Sequence, residues 1–206
     1  MITNKNCIIR LSRYKNALYR LQALGFVKVF SDNLADAVGV TASQVRKDFS
    51  IFGISGNKRG GYQIDSLLEK LNSILGKDHL QKVIVIGAGH IGSALMRYRG
   101  FEKEGIKIVA CFDIDPAKIN RSISVLPFEE ARSFIRAQGI KCGILAVPDI
   151  GAQQAVEVIS AAGIKGILNF APLRLKAPDG CIINNVNLEI ELENLIYFVN
   201  VTEKTK

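Results

Sequence analysis

Val83-Ile84-Val85-Ile86-Gly87-Ala88-Gly89-His90-Ile91-Gly92 is followed by a run with helical spacing and then by Ile108-Val109-Ala110-Cys111-Phe112-Asp113. The stretch reads as strand, glycine turn, helix, strand and acid. Gly87, Gly89 and Gly92 fit G-x-G-x-x-G directly after an apolar run. In that pattern Gly87 permits the tight turn and Gly89 lets the backbone approach a pyrophosphate. Gly92 lets the helix sit close on the sheet. Asp113, twenty-one residues after Gly92, stands where a carboxylate accepts hydrogen bonds from a ribose diol. A carboxylate there repels a 2′-phosphate, which favours NAD over NADP. Two other readings fit the same glycines: a unit that keeps them for packing, and a site for another adenine-containing ligand such as coenzyme A.

The 206 residues allow one large or two modest domains, and 48% hydrophobic with 22% charged residues is a globular composition. No apolar run approaches the ~20 residues that span a membrane, and Met1-Ile2-Thr3-Asn4-Lys5 lacks the apolar centre of a signal peptide. Cys7, Cys111, Cys142 and Cys181 are scattered, with neither metal-ligand spacing nor a disulfide framework. Cys111 and Cys142 fall in expected buried strands, as small core residues of a protein in the reducing cytoplasm. The charge is uneven: residues 1–82 hold 13 Lys and Arg against 6 Asp and Glu, residues 83–206 hold 14 against 13. A basic first part beside a near-neutral second one suits a polyanion partner for the first, or a solvated positive face.

Leu11, Tyr14, Ala17, Leu18, Leu21 and Leu24 recur at helical spacing over Arg10 to Gly25. Ser31-Asp32 is expected to cap a short helix from Asn33 to Val38. Gly39-Val40 turns, and Thr41 caps a third helix from Ala42 to Phe52. Helix, tight glycine-containing turn and helix is the helix-turn-helix pattern. Val45 and Phe49 face inward, and Ser43, Gln44, Arg46, Lys47 and Ser50 face outward. Those types reach base edges and phosphates in a major groove. Gly53 to Tyr62 carries four glycines around Lys58-Arg59, which reads as a basic wing that pairs phosphates or enters the minor groove. An amphipathic helix, Asp65 to Gly76, closes this part.

Beyond Asp113, Pro116 opens a short helix and Pro127 to Gln138 forms an amphipathic one. Ile144 to Pro148 is a buried strand, Asp149 to Ala162 a helix, Gly166 to Pro172 a strand and Cys181 to Val186 the last strand. Strands alternating with helices imply a doubly wound parallel sheet, whose ligands bind at the carboxyl ends of the strands. Val147, Pro148, Asn169 and Phe170 stand at those ends and are expected to line the nicotinamide side. Leu188 to Val199 is too apolar for a solvated terminal helix, which points to a homodimer or to burial within one subunit. The expected organisation is a winged-helix DNA-binding domain over residues 1–80, a Rossmann NAD(H)-binding domain over 81–186, and a dimerisation helix with tail over 187–206.

This combination resembles the Rex family of redox-sensing transcriptional repressors over nearly the whole chain. The likeness is carried by Arg10-Leu11, Val40-Thr41, Gln44-Val45-Arg46-Lys47-Asp48-Phe49-Ser50, Phe52-Gly53, Gly61-Tyr62, Gly87 to Gly92, Tyr98, Phe112-Asp113, Leu145 to Pro148, Gly163 to Pro172, and Glu191-Leu192 to Tyr197-Phe198. The resemblance implies a cytoplasmic homodimer with swapped terminal helices, no enzyme, that binds double-stranded operator DNA when NADH is scarce and lets go when NADH binds. It also implies that the two nicotinamides lie near the dimer interface. It implies a place near the nicotinamide for Tyr98, and a place for Arg10, on the DNA-binding side, in a network that couples the domains. Asn187 stands where the family usually has an Asp of that network, which removes the charge partner of Arg10. Ser55 replaces a usual aromatic of the wing, and its basic pair sits one place late. Arg121 to Phe128 lacks the usual Gly-Gly-Val-Pro. His90, where Asn is common, reads as a residue that orients backbone rather than as a catalyst.

A nicotinamide-dependent dehydrogenase is the competing reading. His79 and His90 are the only histidines and neither is placed for acid-base work. Too few residues follow Pro172 for a substrate domain.

Overall fold

In the computed structural model, which describes residues 4–57 and 60–204, the chain forms two units, Met1–His79 and Leu80–Lys206. The first is built from α1 (Lys5–Ala23), β1 (Lys28–Val29), α2 (Ser31–Val38), α3 (Ala42–Ile51), β2 (Tyr62–Gln63) and α4 (Ile64–Ile74). The periodic residues do what their spacing dictates: Leu11, Tyr14 and Leu18 of α1 bury against Leu34, Val45, Phe49, Leu67, Leu68 and Leu71. Each such side chain is worth about 1.5–3 kcal/mol of transfer free energy. Phe49 is gripped edge-on by two rings, Tyr14 at 5.5 Å and Tyr62 at 5.2 Å between centroids. β1 pairs antiparallel with β2, Val29 opposite Tyr62, and so ties the wing to the helices.

Three local expectations change. α1 begins five residues before Arg10, because Asn4 accepts the N–H of Asn6 and caps it. α2 begins at Ser31 rather than Asn33. Its cap residue is Phe30, whose N–H donates to Asn33 Oδ1 at 3.1 Å, so Asn33 works from inside the first turn. The two-residue strand β1 has no counterpart in the sequence reading, since two residues carry no periodicity.

The second unit contains β3 (Gln81–Ile86), α5 (His90–Arg97), α6 (Gly100–Lys103), β4 (Ile106–Asp113), β5 (Val125–Pro127), α7 (Ala131–Gln138), β6 (Cys142–Leu145), α8 (Ala152–Ala162), β7 (Gly166–Asn169), β8 (Ile182–Asn185) and α9 (Leu188–Lys204). The sheet is parallel throughout, in the order β5-β4-β3-β6-β7-β8. Chain order reverses between β3 and β6, which opens a crevice at their carboxyl ends. Val83 to Ile86 are all buried because both faces of β3 are covered. Ile84 and Ile86 pack with Phe112, Leu145 and α8, while Val83 and Val85 pack with Cys111 and Ile144.

β5 is too short to show in the sequence pattern. Within Arg121 to Phe128 the chain makes a 3-10 turn, Arg121–Ile123, then passes Ser124 at φ 59° and pairs Val125 with Cys111. Cys142 is exposed rather than buried, because β6 becomes buried only from Gly143 onward. Cys111 is fully buried, and burial first, then the nearby Asp113 charge, push its thiol up to about 12.

Candidate functional site

The glycine loop sits at the crevice. Gly87 has φ 98°, its N–H donates to Phe112 O at 2.7 Å, and a Cβ there would lie 2.3 Å from Ala146 O. A Cβ on Gly92 would lie 1.8 Å from Gly87 O. Both glycines are therefore required by the protein's own packing. Gly89 is different: its φ is −71°, and no protein atom lies within 4 Å of a Cβ built on it. The space it leaves belongs to an open cavity of about 530 Å³, lined by Ala88, Gly89, His90, Ser93, Arg97 and Lys118 among others. His90 and Ile91 start α5 and are exposed, so the positive end of that helix faces the cavity.

Asp113 ends β4 and is 7% exposed. Its Oδ2 accepts the Ala88 N–H at 2.7 Å and its Oδ1 accepts the Asp115 N–H at 2.9 Å, with Lys118 Nζ 3.5 Å from Oδ2. Burial pushes this carboxyl up, but the two backbone donors and Lys118 outweigh it and hold the group below its ordinary value. It is thus ionised and joined to the glycine loop through Ala88.

The strand-end residues divide. Val147 follows β6 and lies against Gly87, where a Cβ would come 2.9 Å from its Cγ1. Pro148 is exposed and Phe170 half-buried. Asn169 is fully buried, and its amide is used within the protein. Nδ2 donates to Leu173 O at 3.0 Å and to Asn185 Oδ1 at 2.9 Å, while Oδ1 accepts the Ala171 N–H at 2.9 Å. Asn169 therefore braces the turn after β7 rather than lining the crevice. Tyr98, 60% exposed, stacks edge-on with Phe101 at 5.1 Å. Asn187 Oδ1 accepts the N–H groups of Glu189 and Ile190 at 3.0 and 3.1 Å, which makes it the cap of α9.

In the first unit Thr41 Oγ1 accepts the Gln44 N–H at 3.1 Å and starts α3 as its sequence indicates. Ser43, Arg46, Lys47 and Ser50 are exposed on one side of α3. Arg46 also lines a groove with Phe30, Ser31, Asn57, Gly61 and Tyr62, between the start of α2 and the wing. The wing turn is closed by hydrogen bonds from Gly60 and Gly61 to Asn57 O. Lys58 and Arg59 lie outside the described residues.

Asn187 does not leave Arg10 without a charge partner: Arg10 and Gln44 share one that the sequence alone did not single out, Asp48. Asp48 is fully buried on the inner side of α3. Arg10 grips it with Nε and Nη2 at 2.6 and 2.7 Å, Tyr14 Oη donates at 2.9 Å, Gln44 Nε2 at 2.8 Å and Cys7 Sγ at 3.4 Å. Burial raises the Asp48 carboxyl, and the Arg10 guanidinium leads the donors that bring it below its ordinary value. Spacing from the inward Val45 could have flagged it, since Asp48 lies three residues further along the same face.

Comparison with known proteins agrees with this geometry. Residues 78–173 match the family described as "CoA binding domain", and residues 5–50 the one described as "Putative DNA-binding protein N-terminus". The chain is 42% identical over 193 residues to the redox-sensing transcriptional repressor Rex of Carboxydothermus hydrogenoformans, covering 92% of this chain and 93% of that one. It is 39% identical to the Rex of Desulforamulus reducens, covering 96% and 95%. Among solved structures, RSP, a Rex-family repressor, in complex with NAD+ and operator DNA superimposes with a TM-score of 0.92 at 37% identity, covering 100% of this chain and 96% of that one. Its complex with NADH superimposes at 0.88, covering 100% of both chains. The chain belongs to the Rex family of redox-sensing transcriptional repressors.

Proposed function

We propose that this protein is a cytoplasmic homodimeric repressor, without enzymatic activity, that binds operator DNA and releases it when NADH occupies the second unit. The observation that carries the ligand half is Gly89. It lacks a side chain where neither backbone conformation nor protein packing asks for that, and the open space in front of it meets the start of α5. Gly87 to Gly92 hold the pyrophosphate by backbone N–H groups, and Asp113 accepts the adenosine ribose diol. Val147, Pro148 and Phe170 shape the nicotinamide side, with Tyr98 near it. A neutral reduced ring is buried at less cost than the cationic oxidised ring, which favours NADH over NAD+.

Ser43, Arg46, Lys47 and Ser50 read and position the duplex, with Gln44 oriented by Asp48 and Lys58-Arg59 as the wing's phosphate contacts. The exposure of Arg46 and Lys47, the groove that Arg46 lines, and the basic excess of the first unit support this. NADH shifts the DNA equilibrium by no more than its difference in affinity for the bound and released states.

The test is a pair of titrations. Calorimetry compares NADH, NAD+ and coenzyme A, the last because residues 78–173 match a coenzyme A family. Fluorescence anisotropy follows a duplex selected on the protein from a random pool. NADH that binds more tightly than the other two and lowers duplex affinity is the expected result. A duplex affinity indifferent to NADH removes the sensing role, and tighter coenzyme A binding reassigns the ligand.

A further inference from the structure

The carboxylate expected to exclude a 2′-phosphate does not stand alone. Lys118 Nζ lies 3.5 Å from Asp113 Oδ2 and 3.8 Å from Asp115 Oδ2. Its placement is built into the loop: Asp115 accepts the Ala117 N–H at 3.0 Å and caps the 3-10 turn Pro116–Lys118. Pro116 starts that turn with its φ already set, and the turn carries Lys118 back over the end of β4. The lysine side chain is 43% exposed and lines the cavity in front of the glycine loop, as does Arg97.

A bare carboxylate at this position discriminates by charge. It accepts two hydroxyls and repels a phosphate monoester, which carries about −1.5 to −2 at neutral pH. With Lys118 beside it, Asp113 presents a carboxylate whose charge is largely offset, and one of its oxygens already has the Ala88 N–H and the ammonium as donors. We infer that Lys118 sets the nucleotide preference of the site: it narrows the discrimination between NADH and NADPH by supplying the cation that a 2′-phosphate needs. The ammonium is partly exposed and held by two carboxylates at long range, so a small swing transfers it to a phosphate placed next to Asp113.

This rests on the dinucleotide reading, and the experiment separates the two. NADH and NADPH are titrated calorimetrically against the full chain and against Lys118→Gln and Lys118→Arg, whose exposed position leaves the fold intact. The expected result is a ratio of NADPH to NADH dissociation constants that widens by about tenfold or more in Lys118→Gln and stays near that of the starting protein in Lys118→Arg. Rising salt is expected to weaken NADPH more than NADH in the starting protein and to lose that difference in Lys118→Gln. A ratio unchanged in Lys118→Gln, with both ligands still bound, overturns the role of Lys118 and leaves the dinucleotide site standing. A starting protein that binds neither nucleotide overturns both.

Discussion

Three glycines of one motif answer to three different constraints. Gly92→Ala puts a methyl 1.8 Å from a backbone oxygen, so the loop has to move. We expect a loss of about 1–3 kcal/mol or more in denaturant unfolding. Gly89→Ala meets no protein atom and is expected to leave the unfolding midpoint within error while weakening NADH by an order of magnitude in calorimetry. Equal effects of both changes on stability would make Gly89 a packing glycine as well. Ser124 is the reverse case, a side chain where a glycine is at ease: its φ of 59° is left-handed and it is the only non-glycine so placed among the described residues. Ser124→Gly relieves that strain and is expected to stabilise by about 0.5–1 kcal/mol, less the extra freedom gained by the unfolded chain. Asn169 shows how a residue type misleads: an amide at a strand end suits a ligand, yet here its side chain bonds to Leu173, Asn185 and Ala171 of the protein itself.

At the scale of elements, α3 is fastened from both sides. Thr41 holds its start, and Asp48 draws Arg10 and Tyr14 of α1 onto its inner face. Asp48→Ala strands a guanidinium, a hydroxyl and an amide, and such losses cost about 3–5 kcal/mol. Asp48→Asn keeps the shape. The folded carboxyl titrates below its ordinary value of 3.8. Its stabilisation is therefore complete above the unfolded value and lost as pH falls through the folded one. Thermal melts are expected to be flat from neutral pH to about pH 5 and to fall below about pH 4. Asp48→Asn should flatten part of that fall, and Asp113, depressed in the same way, should account for more. An acid limb identical in the variant would show that Asp48 gains nothing from Arg10. β5 illustrates the opposite dependence on context: Val125–Pro127 is too short to show alternation and exists because the neighbouring edge of β4 was available.

For the whole molecule the telling feature is α9. Leu195, Ile196, Tyr197 and Phe198 are each more than half exposed, and Val199 nearly so. A helical stretch such as residues 195–199, apolar around its circumference and uncovered in a single chain, needs a second surface. The proposed homodimer supplies it. Tyr197→Glu with Phe198→Glu is expected to convert a dimer to a monomer in light scattering and to abolish tight duplex binding, since two half-sites then bind independently. A dimer that survives both charges would place the interface elsewhere. Within the first unit, Arg46→Ala is expected to cost about 1–3 kcal/mol if it reads a base, and Lys47→Ala to lower the salt slope by about 1 if it pairs a phosphate. Anisotropy at several salt concentrations separates the two. Among the described residues no helix is long and apolar enough to cross a membrane.

Local chemistry was enough to decide a good deal. The apolar run before Gly87 could only be a strand covered on both faces, and Thr41 ahead of Ala42 could only open a helix. The spacing of Leu11, Tyr14 and Leu18 demanded a partner surface. These follow from periodicity and from backbone hydrogen bonds satisfied within a few residues, which any one stretch of chain carries with it. Tertiary structure alone decided which polar groups were free for a ligand. Asn169 looks available in a row of letters. Its partner Asn185, sixteen residues further along, comes within 2.9 Å only when β7 and β8 pair. The same holds for Arg10, whose meeting with Asp48, 38 residues further along, depends on α1 and α3 coming together. A charge pair of that kind is set by distance in space, and distance in space is what sequence order does not carry.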